Sequence, residues 1–338
     1  MLGSHFESEI REQPDVWRAI AGSDKAQTLA RAIHERDVVL LGSGSSLFMA
    51  RLGALALRRR GIRAHALAAT EAPLDNVAYR NAAVIACSQS GQSGDLIEAL
   101  DVLQPKDLIA ITNTPHSELG RRANVTIDLG AGPELAVPAS KSVTATAAIL
   151  LWAAGLMAGT HARSAESLTE TAEDVRSWLD GQGVDDVREA AQRIARRRSV
   201  VVVAAGYGIP VAHEFALKLK EASYIHAEGF SAGEFRHGSA AMLDATCAII
   251  GIVDDVARNI VNAPMREAAQ AESLRYVIGG HIGDVPLLGP VVGEAFNTLA
   301  WLVAAQTVAL YVGRARYVES DAPRGLAKTL EEASPRRS

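Results

Sequence analysis

The sequence predicts an α/β protein with two successive, doubly wound parallel sheets flanked by helices. Fully apolar runs such as Val38–Gly42 alternate with helical stretches, as in sheets covered on both faces. The same pattern restarts at Ser199 after a charged helical region, 165–198. The 338 residues are 48% hydrophobic and 22% charged, which excludes a disordered chain and suffices for about two domains.

In the first half, the predicted strands are short apolar runs that alternate with helical stretches. They are Val38–Gly42 with a helix to about Arg60, 83–86 with a helix over 95–103, 108–111 with a helix near Glu118, and 125–129. In this arrangement, ligands bind at the carboxyl ends of the strands.

The second half predicts a strand over Ser199-Val-Val-Val-Val-Ala-Ala-Gly that runs into a glycine turn, and strands at 248–253 and Leu274–Ile278. It predicts helices over about 211–223 and 256–272. The repeated order of elements suggests an internal duplication, although the residues themselves repeat poorly. We expect a first domain over 1–165, a second over 166–318, and a C-terminal tail over 319–338 that carries Lys328.

The net charge of −5 argues against nucleic acid as the main partner, although a local cationic pocket for an anion remains compatible with it. Cys87 and Cys247 lie in apolar runs and are expected to be buried thiols, without disulfide or zinc spacing. The apolar stretch 147–159 is too short for a membrane span, and the stretch 297–312 is interrupted by polar residues, so it fits a buried helix better than a membrane span. With no basic-then-apolar leader, the expectation is a soluble, cytoplasmic protein that does not bind membranes.

Two serine-rich turns could bind phosphate. Gly42-Ser-Gly-Ser-Ser46 and Ser88-Gln-Ser-Gly-Gln-Ser-Gly94 each follow a strand and open a helix. Hydroxyls and backbone N–H groups at a helix start suit a phosphate. Neither turn matches a nucleotide-binding fingerprint, and ordinary helix capping by serine is the alternative.

The segment 218–238 concentrates groups suited to proton transfer: Glu221, His226, Glu228, Glu234 and His237. A solvated helix end is the alternative from the pattern alone. His226-Ala-Glu228 resembles half of a zinc deaminase signature, but the Pro-Cys-x-x-Cys half is missing, so a metal is not expected.

Lysines are few: the six are Lys25, Lys106, Lys141, Lys218, Lys220 and Lys328. A chain that uses arginine for most positive charges could keep a lysine for Schiff-base chemistry, which a guanidinium cannot perform. For any single lysine, chance is the alternative. Lys328 stands out because a loose polar tail has no need for Pro323-Arg-Gly-Leu-Ala-Lys328.

Together these residues resemble the sugar isomerase (SIS) domains of the isomerase half of glucosamine-6-phosphate synthase and its stand-alone deaminase relatives. The resemblance implies two tandem SIS domains, each with a five-stranded parallel sheet and helices on both sides. The most specific stretch runs from Ala216-Leu-Lys-Leu-Lys-Glu through Gly233-Glu-Phe-Arg-His-Gly. The resemblance implies Glu221 as the base between C1 and C2, His237 as the ring-opening histidine of a neighbouring subunit, and Lys328 as the Schiff-base lysine. It further implies substrate contacts from Ser45, Ser46, Ser88, Gln89, Ser90, Ser93, Val137, Ala139 and Lys218.

The implied activity is conversion of glucosamine 6-phosphate and water to fructose 6-phosphate and ammonia, without metal or cofactor, by a homodimer that shares its active sites. Pro138 and Ala139 replace the family's Ala and Ser, which leaves another phosphosugar open, such as galactosamine 6-phosphate or a fructosamine adduct. A glutaminase-lacking aminotransferase-type isomerase and a non-catalytic sugar-phosphate sensor are further alternatives. Without an N-terminal cysteine nucleophile or glutaminase domain, the chain is not expected to draw ammonia from glutamine.

Overall fold

The structure, a computed structural model, describes residues 1–74, 81–157 and 164–328. The chain forms two compact units. The first unit comprises Asp15–Thr169 and the segment from Arg324, and the second comprises Met1–Pro14 and Glu170–Pro323. Positions 158–159 of the predicted apolar stretch and 329–338 of the predicted tail lie outside the described residues.

Within the described residues, the first unit contains five strands and the helices around them. The chain begins with α1 (Ser4–Ala21), whose second part belongs to this unit. The elements that follow are α2 (Lys25–Ala32), β1 (Val38–Gly42), α3 (Ser45–Arg58), β2 (Ala64–Ala68), β3 (Ala83–Ser88), α4 (Gly94–Leu103), β4 (Leu108–Thr112), α5 (Glu118–Arg122), β5 (Val125–Asp128) and α6 (Lys141–Met157).

The sheet of the first unit is parallel throughout, with the strand order β2-β1-β3-β4-β5. Strands β1, β3 and β4 are completely buried, because their apolar side chains are covered on both faces of the sheet. After β1, the chain adds β2 on one side of β1 and then β3 on the other side. This change of side opens a crevice at the carboxyl ends of β1 and β3.

The second unit repeats this arrangement with four strands. Its elements are α7 (Ala165–Asp180), α8 (Gly183–Ile194), β6 (Ser199–Ala204), α9 (Gly208–Ser223), β7 (His226–Ser231), α10 (Ala232–Phe235), β8 (Cys247–Ile252), α11 (Arg258–Gln270), β9 (Leu274–Ile278) and α12 (Asn297–Ala315). The parallel order β7-β6-β8-β9 matches that of the first four strands of the other sheet. The predicted repeat is therefore present in the topology.

A fifth strand was implied for each sheet, but within the described residues the second sheet has four. In the place of a fifth strand, Leu287 forms an isolated parallel bridge with Val277. Val277 N–H donates to the carbonyl of Pro286, and Leu288 N–H donates back to Val277. Pro286 has no N–H to donate and Pro290 follows closely, so the pairing cannot extend into a regular strand.

Two strands were missed in the sequence: β2 and β7. Both lie at the edge of their sheets and carry exposed or half-buried positions, with the patterns Ala-His-Ala-Leu-Ala and His-Ala-Glu-Gly-Phe-Ser. An edge strand needs no continuous apolar run, which removes the feature by which the central strands were predicted. The predicted helices 211–223 and 256–272 are confirmed, with bounds shifted by two to three residues.

Helices α6 and α12 are long, apolar and buried within the protein. Among the described residues, one helix, Glu294–Ala315, has the length and hydropathy of a membrane span, and 89% of that window is buried inside the fold. The prediction that 297–312 is a buried helix is confirmed. Buried Gln306 accepts a 2.7 Å hydrogen bond from Gln13, so its polar group is satisfied within the core.

Candidate active site

The first serine turn, residues 43–46, connects β1 to α3. A Cβ on Gly42 would lie 2.7 Å from the backbone carbon of Ser46, and Gly44 has a φ of +54°. Both positions therefore require glycine, since a side chain would collide or be strained there. The tight turn places half-buried Ser45 and Ser46 in the first turn of α3.

The second serine turn, residues 88–93, connects β3 to α4. Ser88 Oγ accepts a 3.0 Å hydrogen bond from the Gly91 N–H and lies 3.3 Å from Ser93 Oγ. Gly91 has a φ of +63°, and a Cβ there would lie 1.9 Å from Ser117 Oγ. The turn thus has one compact conformation, in which the hydroxyls of Ser88 and Ser93 are close together.

The sheet places these two turns next to each other, because β1 and β3 are neighbours and both turns leave the carboxyl ends of those strands. Ser43 Oγ donates a hydrogen bond to the carboxylate of Asp95 in the first turn of α4, which links the turns directly. The crevice at this switch point is where an open parallel sheet binds its ligand. The predicted contact residues Ser45, Ser46 and Ser88 to Ser93 all lie along it.

A loop between β5 and α6, residues 129–140, carries Val137 and Ala139, both half-buried. Asn113 joins this loop to the second serine turn. Its backbone N–H donates to the Gln89 carbonyl, and its side chain bonds Gly132 and Ala131 at 2.8 and 2.9 Å. The loop is therefore held in a defined position relative to the second serine turn.

Lys328 lies against this loop in the first unit. Its Nζ donates to the carbonyl of Ala136 and is 3.6 Å from Oε2 of Glu134. The polar tail over 319–338, which the sequence suggested to be loose, is also fixed near its start. In the second unit, the Asp321 carboxylate accepts hydrogen bonds from the His5 and Phe6 N–H groups at the start of α1.

The second unit contains a buried ion cluster on α9. Lys218, 1% exposed, has its Nζ 2.6 Å from Oε2 of Glu221 and 3.4 Å from Oε1 of Glu214. Burial by itself would lower the pKa of the Lys218 amine, but the two carboxylates outweigh burial and raise that pKa above its ordinary value. Lys218 is therefore a permanent ammonium that orients the partly exposed Glu221 carboxylate.

The other predicted acid–base groups follow α9 and are exposed. His226 Nε2 lies 3.5 Å from Oε1 of Glu228 on β7, where both side chains face solvent. His237 follows α10 and is also exposed in this chain. Residues His226–Ser231 form strand β7, so this part of the segment is not the solvated helix end that the pattern alone left open.

A separate cavity of about 400 Å³ in the second unit contains none of the predicted site residues. It is lined by α11, β9 and the loop after β9, with Arg258, Arg266 and Arg275 among its side chains. Asp284 lines the same cavity, and Arg258 forms an ion pair with Asp255. These carboxylates neutralise part of the positive charge of the cavity. The predicted chemistry lies elsewhere in the chain.

Comparison with known proteins agrees with this architecture. The family model described as "SIS domain" matches residues 33–156 and 193–270, more than half of the chain. The chain belongs to the SIS-domain family. Both matched segments start just before the first strand of a sheet, β1 or β6.

The relatives of this SIS chain include glutamine–fructose-6-phosphate aminotransferase (isomerizing) of Pyrobaculum aerophilum. The two are 29% identical over 342 residues, covering 95% of this chain and 56% of the relative. The chain thus spans about half the length of that relative. Its sequence similarity is to the isomerase half of such enzymes.

Two solved structures show the same fold as this SIS chain. The C-terminal domain of glucosamine-fructose-6-phosphate aminotransferase from Francisella tularensis matches with a TM-score of 0.82 at 21% identity, covering 94% of this chain and 98% of that one. Glucosamine-6-phosphate deaminase from Thermotoga maritima matches with a TM-score of 0.78 at 21% identity, with coverages of 96% and 99%. At these identities the match establishes the fold.

Sequence reasoning missed two carboxylates that contact predicted site residues. Glu214 precedes Lys218 by four positions, and this spacing on a helix could have identified it. Glu134 had no comparable local pattern, because its partners Lys328, Ser140 and Ser142 lie at larger or irregular separations. The contact of Asp95 with the first serine turn was likewise visible only in the fold.

Proposed function

We propose that this SIS protein converts glucosamine 6-phosphate and water to fructose 6-phosphate and ammonia. The observation that carries the proposal is the carboxylate of Glu221, oriented by buried Lys218 at 2.6 Å while 18% of its side chain stays exposed. A carboxylate that is fixed, charged and accessible suits proton abstraction next to a carbonyl. The family and the two serine turns at the switch point support a sugar phosphate as the substrate.

In the proposed reaction, the serine turns hold the phosphate and His237 promotes opening of the sugar ring. Glu221 removes the proton from C2 of the open-chain aldehyde and returns it to C1. The C1 oxygen gains a proton and the C2 amine loses one, so C1 is reduced to an alcohol while C2 is oxidised to a ketimine. Water then adds to C2 and ammonia leaves, so the overall reaction is redox-neutral.

Lys328 is proposed to orient the keto product or to hold it as a Schiff base. In that step, its amine nitrogen attacks C2 and the carbonyl oxygen leaves as water. Hydrolysis reverses the bond and releases fructose 6-phosphate. The amine lies against the loop that carries Val137 and Ala139, two of the predicted substrate contacts.

We also propose a homodimer in which each active site includes His237 of the neighbouring copy. His237 is exposed on the single chain, as a residue that acts on another subunit's substrate must be before assembly. Sedimentation of the full chain would measure this state directly. A monomer with full activity would contradict the shared site.

The test of the function is an ammonia-release assay with a panel of phosphosugars. Glucosamine 6-phosphate should release ammonia and yield fructose 6-phosphate, and the unphosphorylated sugar should react far more slowly. Absence of ammonia release, with simple aldose–ketose conversion or binding only, would overturn the deaminase assignment.

One observation favours a second candidate within the same chemistry. Pro138, which is buried, and half-buried Ala139 differ from the residues that the family has at these positions, and they lie in the loop against Lys328. A changed pocket there suits an altered sugar, such as galactosamine 6-phosphate or fructosamine 6-phosphate. The same panel distinguishes them by the ratio of kcat/KM values.

A further inference from the structure

We infer that Glu134 is a positioning residue for Lys328, which it holds as an electrostatic partner through the Schiff-base step. This inference rests on the proposed function, in which Lys328 binds the keto-sugar. It adds a residue that the predicted site did not include.

The contact is built from a fully buried acid and the tail lysine. The Glu134 side chain has no exposed surface, and its Oε2 lies 3.6 Å from Lys328 Nζ. The same Nζ donates to the carbonyl of Ala136, two residues further along the loop. One short stretch of the loop therefore supplies both a charged and a neutral acceptor for the amine.

The Glu134 carboxylate is held in a single orientation by hydrogen bonds. Oε1 accepts from the backbone N–H groups of Ser140 and Ser142 at 2.8 and 3.1 Å, and Oε2 accepts from Ser142 Oγ at 2.7 Å. These donors belong to the start of α6, a rigid buried helix. The carboxylate is thus positioned by the core rather than by the tail.

The carboxylate is also in its charged form. Burial would raise the pKa of Glu134, but the nearby Lys328 ammonium and the serine donors together lower it below its ordinary value. A buried anion strongly favours a cationic partner over none. Glu134 therefore stabilises positive charge at the place where the tail presents its amine.

The negative charge of Glu134 is needed both before and after Lys328 forms its covalent bond with the sugar. The resting Lys328 amine carries one positive charge, and the protonated imine formed with the sugar carries one as well. The nitrogen loses its proton only for the attack on C2. A fixed carboxylate can pair with both charged forms without moving, so it keeps the nitrogen in place throughout the step.

The loop has a second support that lets the role of Glu134 be tested alone. Buried Lys141 donates a 2.7 Å hydrogen bond to the carbonyl of Pro133, next to Glu134. Glu134→Gln removes the charge but keeps an oxygen that can accept from the serine N–H groups. We therefore expect the loop to keep its conformation in this variant.

The test is reductive trapping of the full-length protein with fructose 6-phosphate and sodium borohydride. Hydride adds to the C=N bond of the imine and leaves the sugar on Lys328 as a stable secondary amine, which is counted by mass spectrometry of the peptide. We expect E134Q to trap about 10-fold more slowly, with kcat reduced to a similar degree and KM changed little.

Two further variants make the result specific. E134D keeps the charge on a shorter side chain and should restore part of the trapping rate. E7Q is the matched control, because Glu7 forms a 2.7 Å ion pair with Arg314 in the second unit. It should trap at the wild-type rate even if its stability falls.

The inference is overturned if folded E134Q traps as fast as the wild type, or if E134D is no better than E134Q. It is also overturned if E7Q loses trapping as strongly. Failure of the proposed function gives a different result, since the wild type itself would then neither release ammonia nor trap the sugar. Wild-type trapping with an unaffected E134Q rejects the role of Glu134 alone.

Discussion

The ammonium of Lys218 and the carboxylate of Glu221 form a 2.6 Å ion pair on one face of α9. The lysine is buried and the carboxylate reaches partly into solvent. The ion pair therefore fixes the Glu221 carboxylate in place while leaving part of it accessible. This asymmetry suits a base that must keep its orientation while it takes up and returns a proton.

Glu221→Gln should abolish most ammonia release while leaving sugar-phosphate binding nearly intact. The amide keeps the shape but cannot accept the C2 proton, so we expect kcat to fall by about 10²- to 10⁴-fold. The measurement is steady-state ammonia release together with calorimetric binding of the substrate. The control is E228Q on β7, an exposed carboxylate outside the proposed machinery, which should stay near wild type. Near-parental turnover by E221Q would show that another group is the base.

Lys218→Met should destabilise the fold strongly. It would leave the fully buried Glu214 and the adjacent Glu221 without their cation, a change that typically costs about 3–5 kcal/mol. Urea denaturation measures the free energy of unfolding. The control is K220M two positions away, where the side chain is exposed and the expected change is within about 0.5 kcal/mol. Equal stabilities for the two variants would contradict the contribution of the ion cluster.

Gly91→Ala should damage the second serine turn. The φ of +63° disfavours a side chain, and the new Cβ would lie 1.9 Å from Ser117 Oγ, so we expect a loss on the order of 1–3 kcal/mol and a raised KM. Thermal unfolding and substrate titration measure the two effects. G94A is the matched control, because nothing lies within 4 Å of a Cβ at that position. A wild-type KM for G91A would argue that the turn does not hold the phosphate.

The contribution of Glu134 to the free energy of unfolding should decrease as the pH falls. Its pKa is lowered in the folded protein, so its stabilising contribution is complete above the unfolded-state value, about 4.3, and is lost as the pH falls towards the folded-state pKa. The stability gap between wild type and E134Q should stay constant near neutrality and shrink below about pH 4. Urea titrations at stepped pH values measure it. A gap that widens on acidification would refute the charged, paired carboxylate.

The sequence predicted the central architecture because the relevant physical features are local. The apolar runs of β1, β3 and β4 can only be strands buried on both faces, and they were predicted within two residues. The serine turns that follow β1 and β3 were also readable, since glycine and serine at a strand-to-helix junction define the turn. The edge strands β2 and β7 lacked an apolar run and were missed for that reason.

The sequence by itself determined the fold class, the repeated order of elements and the two turns suited to phosphate, because backbone preferences and apolar periodicity act over a few residues. Only the tertiary structure decided which charges meet. Ala136 and Lys328, 192 positions apart, are in contact, and Glu134 became their buried neighbour. Such pairs depend on which surfaces lose water together when the chain folds, and no local pattern encodes that.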